Sequence, residues 1–275
     1  MDSNVESRGR GVVGWEEAAR EELLRLRGSM AAWGDQPGAP PRVEPTALAA
    51  LGLLAEAPEP RESEAATRAA DLLARLQRPD GALGVSATLT APGWSTPYAL
   101  LLWAALDRHA ERRDRALRWL LGCTGTTFSG PTASVLGHDA TIPGWPWVEG
   151  THSWLEPTAL AVLALRRLGL GDHPRTHAGL RLIRDRAIRQ GGWNYGNNAV
   201  FGHPLRPQPA PTGLALLALA GVARPPCSVL RAIRYLEGVL PAIRSALSLG
   251  WGLLGLRAWG HWPEGADAWL AEACD

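Results

Sequence analysis

The chain has 275 residues, of which 28 are basic and 27 acidic, so its formal net charge is +1 at pH 7. This balance provides no field that would steer nucleic acid, and we expect no nucleic-acid partner. Every basic residue is arginine, which excludes lysine Schiff-base chemistry and the lysine of a phosphate-binding loop.

Features that would indicate export or a membrane anchor are absent from the sequence. Cys123, Cys227 and Cys274 are far apart and include no Cys-x-x-Cys pair, which favours a reducing compartment over a disulfide framework. The start of the chain has no apolar core typical of a signal peptide, and no apolar run reaches the roughly 18–20 residues of a membrane span. We therefore expect a cytoplasmic protein, and peripheral contact with a membrane stays open.

The N-terminal part predicts a short lead-in followed by a helix. Residues 1–14 are polar and glycine-rich, which is typical of a loose, flexible terminus, and residues 15–275 are predicted to form a single domain. A first helix is predicted over Trp15–Arg27, because several glutamates lie near its positive end and Gly28 follows its last turn.

Four apolar segments with a proline near their start predict buried helices. They align on Pro45, Pro97, Pro157 and Pro211, at intervals of about 52, 60 and 54 residues. The segment Trp154–Leu168 is apolar on every side from Thr158 to Leu165, which suits a helix enclosed by protein. The first segment starts at Val43 and ends near Pro58. The second spans Thr96–Leu106, and the fourth spans Thr212–Val222. The chain is therefore a repeat protein with this buried helix as its unit.

Amphipathic segments follow the buried ones in turn. They are predicted over Glu62–Gln77, Glu111–Leu121, His173–Gln190 and Cys227–Leu236. A long helix over Pro241–Trp259, interrupted by three glycines, and a short one over residues 265–273 complete the chain. Strands are not predicted, because β-branched residues are sparse. The alternation predicts an all-α fold, a closed ring of about five helix pairs with the apolar helices inside, and an open solenoid is the alternative.

The order of apolar helix, amphipathic helix and Gln/Gly/Trp turn resembles the repeat of prenyltransferases and squalene cyclases. The matching turns are Gln77–Gly84 and Gln190–Gly196, with weaker versions at Gly28–Gly34 and Leu249–Gly252. The resemblance covers roughly residues 15–260 and implies an (α/α) toroid around a central cavity.

Class II terpene cyclases of this family protonate an alkene or epoxide with the middle Asp of a DxDD-T-A motif. Aligning its Thr-Ala on Thr158-Ala159 places Glu156 at the proton donor, Trp154 at the first Asp and Pro157 at the last. The same alignment at Thr46-Ala47 places Glu44 at the donor. This chain thus has Glu in place of the family's acid and lacks its two supporting carboxylates.

Burial of a carboxylic acid raises its pKa, so that Glu156 or Glu44 would keep a proton to donate. The chain has 13 Trp against two Phe and three Tyr, and tryptophan faces stabilise cations. The predicted substrate-binding set combines aromatic residues with a histidine: Trp94, Trp145, Trp147, Trp154, Trp193, Tyr195 and His152. The alternative for the Glu-Pro-Thr sequence is a structural helix cap favoured by the helix dipole.

The long connection over residues 122–153 departs most from the repeat spacing, and long loops are often functional. Asp139 and Thr141 match the Asp-x-Thr fragment of the acid motif, so Asp139 is a third candidate catalytic carboxylate. His138, Asp139 and His152 match no metal-ligand spacing, and no Asp-x-Cys zinc fragment occurs, so we expect no metal and a polar lid here.

Three functions remain open from the sequence. The first is a cyclase- or isomerase-like enzyme that acts on an apolar, isoprenoid-like ligand with Glu156 as the acid and without a cofactor. The second is a non-catalytic toroid that binds a lipid or a partner. The third is a carbohydrate-active toroid, in which Glu44 and Glu156 would have to lie about 5–10 Å apart. The oligomeric state is not predicted.

Overall fold

The computed structural model describes residues 14–28, 31–129, 137–222 and 226–274, so nearly all of the predicted lead-in lies outside the described residues. The described part is helical, with one 3-10 turn over Leu240–Ala242 and one small antiparallel hairpin of β1 (Ala199–Val200) and β2 (His203–Pro204). The helices are α1 (Trp15–Leu26), α2 (Val43–Leu53), α3 (Pro60–Leu76), α4 (Thr96–Leu106), α5 (Ala110–Gly122), α6 (Leu155–Arg167), α7 (Pro174–Asp185), α8 (Pro209–Leu219), α9 (Cys227–Val239), α10 (Ala246–Arg257) and α11 (Ala266–Cys274).

The helices form a closed ring of pairs. Helices α2, α4, α6, α8 and α10 contact one another in that order, and α3, α5, α7 and α9 each pack on the outside of the helix before them. Helix α11 contacts both α10 and α1, and α1 contacts α2, which closes the ring. The prediction of an all-α toroid is therefore confirmed. No helix in the described ranges combines the length and apolar character that a bilayer crossing requires.

A repeated hydrogen bond fixes the start of each of the first four inner helices. A buried threonine hydroxyl in the first turn accepts a backbone N–H from the preceding loop, at 2.9 to 3.0 Å. Such a bond satisfies a buried amide that would otherwise be costly. The threonine and the residue whose N–H it accepts are, for successive repeats, Thr46 and Trp33, Thr96 and Leu83, Thr158 and Trp145, and Thr212 and Trp193.

These threonines correct the register of the second repeat. Pro97 follows Thr96, whereas the other three prolines come directly before their threonines. An alignment on proline is therefore one residue out in α4. Aligned on threonine, Trp94 occupies the position that Glu44 and Glu156 hold in α2 and α6.

Three predicted helix ends are wrong. Helix α7 ends at Asp185 and not at Gln190, because the chain turns back through Gly191 and Gly192, whose φ angles are +120° and +81°. Helix α2 ends at Leu53, before the predicted end near Pro58. The predicted helix Pro241–Trp259 is broken by extended backbone at Ile243, and α10 starts anew after its N-cap Ser245. The other helix bounds lie within three residues of their predictions.

The predicted turn at Leu249–Gly252 is also wrong, because these residues lie inside α10. The glycines of α10 serve packing instead. A Cβ atom on Gly255 would lie 2.5 Å from the carbonyl oxygen of Gly213, and one on Gly252 would lie 2.7 Å from the side chain of Leu240. Close contact between α8 and α10 therefore requires glycine at this crossing.

Candidate active site

One face of each of the first four inner helices carries partly exposed residues at both of its ends. Residues two before, two after and five after the repeated threonine are spaced i, i+4 and i+7, so they share one helix face. The leucine at the last of these positions is half-exposed in all four helices, although most residues beside it are buried. We call this the axial face, and its members are Glu44, Leu48 and Leu51 in α2, Trp94, Tyr98 and Leu101 around α4, Glu156, Leu160 and Leu163 in α6, and Ala210, Leu214 and Leu217 in α8.

The axial faces of α2, α4 and α6 bring two of the predicted catalytic residues together. The hydroxyl of Tyr98 donates a hydrogen bond of 2.9 Å to Oε1 of Glu44. Glu156 interacts electrostatically with both Glu44 and Tyr98. We refer to Glu44, Tyr98 and Glu156 as the acidic cluster.

Burial and mutual repulsion keep a proton on this cluster. Desolvation of the carboxyl group, helped by the neighbouring charge of Glu44, raises the pKa of Glu156 to about 7. Desolvation also raises the pKa of Glu44, while the hydrogen bond from Tyr98 acts in the opposite direction. The cluster therefore holds an acidic proton at neutral pH, as a general acid requires.

Neither glutamate acts as a helix cap. The side chain of Glu44 is bonded to the Tyr98 hydroxyl, and neither α2 nor α6 has a side-chain hydrogen bond at its N-cap. The carboxyl group of Glu156 makes no hydrogen bond within the described residues. Within that part of the chain, no structural hydrogen bond explains why the Glu-Pro-Thr sequence has a glutamate at residue 156.

One predicted substrate-binding tryptophan, Trp94, lies beside the acidic cluster, and a second, Trp147, packs on it. Trp94 packs edge-to-face on Trp147, with ring centroids 4.6 Å apart, and edge-on against Tyr98 at 6.2 Å. Both indoles are half-buried. Trp94 therefore borders the acidic cluster through Tyr98, and Trp147 lies behind it. Aromatic rings of this kind stabilise a cation that faces them.

Trp145 and Trp193 serve the packing between inner and outer helices. Their indole N–H groups donate to backbone carbonyls of Leu120 in α5 and Ile183 in α7, at 2.8 and 2.7 Å. Both side chains are almost fully buried, and the guanidinium of Arg175 lies 4.1 Å above the Trp145 ring. These contacts give both residues a packing role, and only Trp193 belongs to one of the Gln/Gly/Trp turns.

Trp154, His152 and Tyr195 lie at the start of α6. The ring of His152 is 4.5 Å from that of Trp154, which is the N-cap residue. The backbone carbonyl of Tyr195 accepts the N–H of Leu155, and the Tyr195 side chain is exposed. Of these three residues, His152 also lines a neighbouring cavity.

That cavity, here called the side pocket, has a volume of about 270 Å³. Its walls include Phe128, Ala140, Ile142, His152, Ser153 and Arg186, so the long loop and the end of α7 form it. Asp139 lies in this region, where its backbone N–H donates to Asp185. Hydrogen bonds from Thr141 lower the pKa of Asp139, so this carboxylate stays ionised and is unsuited to donate a proton.

No group of three His, Cys, Asp or Glu side chains in the described ranges could hold a metal ion. His138, Asp139 and His152 therefore do not form such a group. Sequence reasoning missed Tyr98 and Arg186. Tyr98 was detectable, because alignment on threonine places it one helical turn after Trp94 on the axial face. Arg186 was not, because the sequence shows it as one of many arginines on an amphipathic helix.

Comparison with known proteins shows which solved structures have a similar fold. No family model and no curated protein matches the chain. Type II terpene cyclase MstE from Scytonema has a similar structure, with a TM-score of 0.63 and 22% identity over 94% of this chain and 75% of that one. The fold is terpene cyclase-like. A variant of MstE in complex with geranylgeranyl dihydroxybenzoate, its substrate, gives a TM-score of 0.64 at 20% identity, over 94% of this chain and 76% of that one. A protein from Actinoplanes gives 0.62 at 21%, over 94% and 78%.

Proposed function

We propose that this chain binds an apolar, isoprenoid-like ligand at the centre of the ring and cyclises or isomerises it by protonation, with Glu156 as the general acid. The carrying observation is the carboxyl group of Glu156, which lies on the axial face, has a pKa of about 7 and makes no hydrogen bond within the described residues. The terpene cyclase-like fold and the geranylgeranyl substrate of MstE support this choice of ligand class.

The proposed reaction begins with proton transfer from Glu156 to an alkene carbon of the ligand. The π electrons of the alkene form the new C–H bond. The ligand becomes a carbocation, and Glu156 becomes a carboxylate. The rings of Trp94 and Trp147 stabilise the cation, which either is attacked by a second alkene or loses a proton directly. Loss of a proton to the Glu156 carboxylate restores the acid, so the product is an isomer of the substrate.

Glu44 and Tyr98 are positioning residues in this scheme. The Tyr98 hydroxyl favours the ionised form of Glu44 through its hydrogen bond. The negative charge of Glu44 then favours the protonated form of Glu156. Removing the hydroxyl with Tyr98→Phe is therefore expected to alter the pH profile of turnover and not only its size.

The test is incubation of the full chain with a panel of linear isoprenoids in deuterated water, followed by product analysis. We expect a product that carries deuterium at the protonated carbon, and a loss of at least about 100-fold in Glu156→Gln, since general acids contribute this much. Glu264→Gln, which changes an exposed carboxylate in a loop, is the matched control and should keep full turnover. Equal turnover by wild type and Glu156→Gln would remove the assigned acid. Binding of an isoprenoid without turnover would favour a non-catalytic protein.

A carbohydrate-active toroid is the second candidate, because the acidic cluster pairs a protonated carboxyl with a second carboxylate. Glycosidases use such a pair as acid and as nucleophile or base. Chromogenic aryl glycosides distinguish this function. Their hydrolysis by wild type, lost in both Glu156→Gln and Glu44→Gln, would favour it over isoprenoid chemistry.

A further inference from the structure

The side pocket contains a buried cation that the proposed reaction at Glu156 does not use. Arg186 directly follows α7, is only 3% exposed and contributes to the pocket wall. Its Nη1 atom donates a hydrogen bond of 3.2 Å to the carbonyl oxygen of Gly196. Its Nε atom has no hydrogen-bond partner within the described residues, although Asp185 Oδ2 lies 3.5 Å away. A buried donor without a partner is costly.

The charges around Arg186 favour a ligand with one negative charge. Burial lowers the pKa of Arg186 to about 10, so the guanidinium remains a cation at neutral pH. Asp185 compensates it in part, and Asp139 contributes a second, more distant carboxylate. Burial and the charge of Arg186 lower the pKa of His152, which therefore adds a neutral ring and no second positive charge. The two carboxylates repel a dianion such as a phosphate more strongly than they repel a monoanion.

The other walls combine an apolar part with the polar residues Thr126, His138 and Asn197, and the apolar part fits a hydrocarbon body. Phe128, Ala140 and Ile142 supply hydrocarbon surface, and the volume of about 270 Å³ suits a small ring better than a long chain. Small-molecule sites have this composition, with mostly apolar walls and a few polar groups that set orientation. A guanidinium also matches the planar geometry of a carboxylate.

We propose that the side pocket binds a small aromatic monocarboxylic acid, with the carboxylate on the guanidinium of Arg186 and the ring against Phe128 and Ile142. This site is separate from the acidic cluster, so it does not rest on proton donation by Glu156. The hydroxyl oxygen of Ser153, which directly precedes the N-cap residue of α6, accepts the backbone N–H of Gly144 at 2.8 Å.

The test is titration of the full chain by calorimetry with benzoate, with benzamide as the neutral isostere and with phenylphosphonate as the dianion. We expect benzoate to bind at least about tenfold more tightly than benzamide, because a charge-assisted hydrogen bond supplies that much, and more tightly than phenylphosphonate. Equal affinity for benzoate and benzamide, tighter binding of phenylphosphonate, or no binding of any probe would overturn the proposal.

Variants assign the effect to Arg186. Arg186→Gln should remove the preference for benzoate over benzamide, and Arg186→Lys should keep part of it, because the charge remains and the planar fork is lost. Since Arg186 is buried, circular dichroism and a melting curve must show that each variant is folded. The ratio of probe affinities in wild type tests the proposal even where a variant does not fold. Glu156→Gln should bind benzoate like wild type, which separates this site from the proposed catalysis; loss of benzoate binding in that variant would contradict a separate site.

Discussion

Glu156→Gln is expected to stabilise the folded chain by about 3 kcal/mol at about pH 8 and to leave its stability unchanged at about pH 4. The folded-state pKa of Glu156, about 7, lies above the ordinary value of 4.5. Between these values the folded chain holds a proton that the unfolded chain has released, so the stability of wild type falls as the pH rises through this window. Glutamine mimics the neutral acid at every pH, and the variant should lack this loss.

Urea unfolding of both proteins across this pH range measures the effect. The difference in unfolding free energy should grow from near zero at low pH to its full size above the folded-state pKa. Glu264→Gln is again the control, because its side chain is exposed and should shift stability by less than about 0.5 kcal/mol at any pH. Parallel curves for wild type and Glu156→Gln would show that the carboxyl group is not desolvated in the folded chain. If Glu156 serves function, its removal should stabilise the chain; if it were a structural cap, its removal should not.

Gly255→Ala and Gly250→Ala are expected to have opposite effects, although both replace a glycine inside α10. A Cβ atom on Gly255 would lie 2.5 Å from the backbone oxygen and 2.6 Å from the Cα atom of Gly213, so α8 and α10 must move apart. We expect a loss of about 2–3 kcal/mol, as for other overpacked cores. A Cβ atom on Gly250 would meet no atom within 4 Å, and alanine should stabilise the helix there by about 0.5–1 kcal/mol.

Thermal or denaturant unfolding of the two variants distinguishes close packing from simple helix propensity. If both substitutions stabilise the chain, the α8–α10 contact is looser than described and the ring closes differently at this point. If both destabilise it, the open environment of Gly250 is wrong.

The sequence predicts the ring because its periodicity reports burial directly. Helices such as α4 and α6 are apolar all round, and only enclosure on every side explains that pattern. The ends of helices are less predictable, because they depend on turns. The two left-handed glycines at residues 191 and 192 and the extended Ile243 end or break helices whose side-chain pattern continues beyond them.

Half of the candidate site was visible in the sequence. The Glu-Pro-Thr repeats identified Glu44 and Glu156 as equivalent positions, and the ring brings them together through Tyr98. The tryptophans of the site could not be separated from those of the core. The sequence does not distinguish an indole that packs between helices, such as Trp193, from one beside the acids, such as Trp94. The side pocket was invisible, since it depends on where a long loop folds back onto the end of α7.

The central claim is that the carboxyl group of Glu156 keeps its proton near neutral pH, and a ¹³C NMR titration of glutamate side-chain carboxyl carbons tests it most directly. The signal that disappears in Glu156→Gln identifies this residue. We predict that its midpoint lies at about pH 7. A midpoint at the ordinary value of 4.5 would contradict the assignment of Glu156 as the acid.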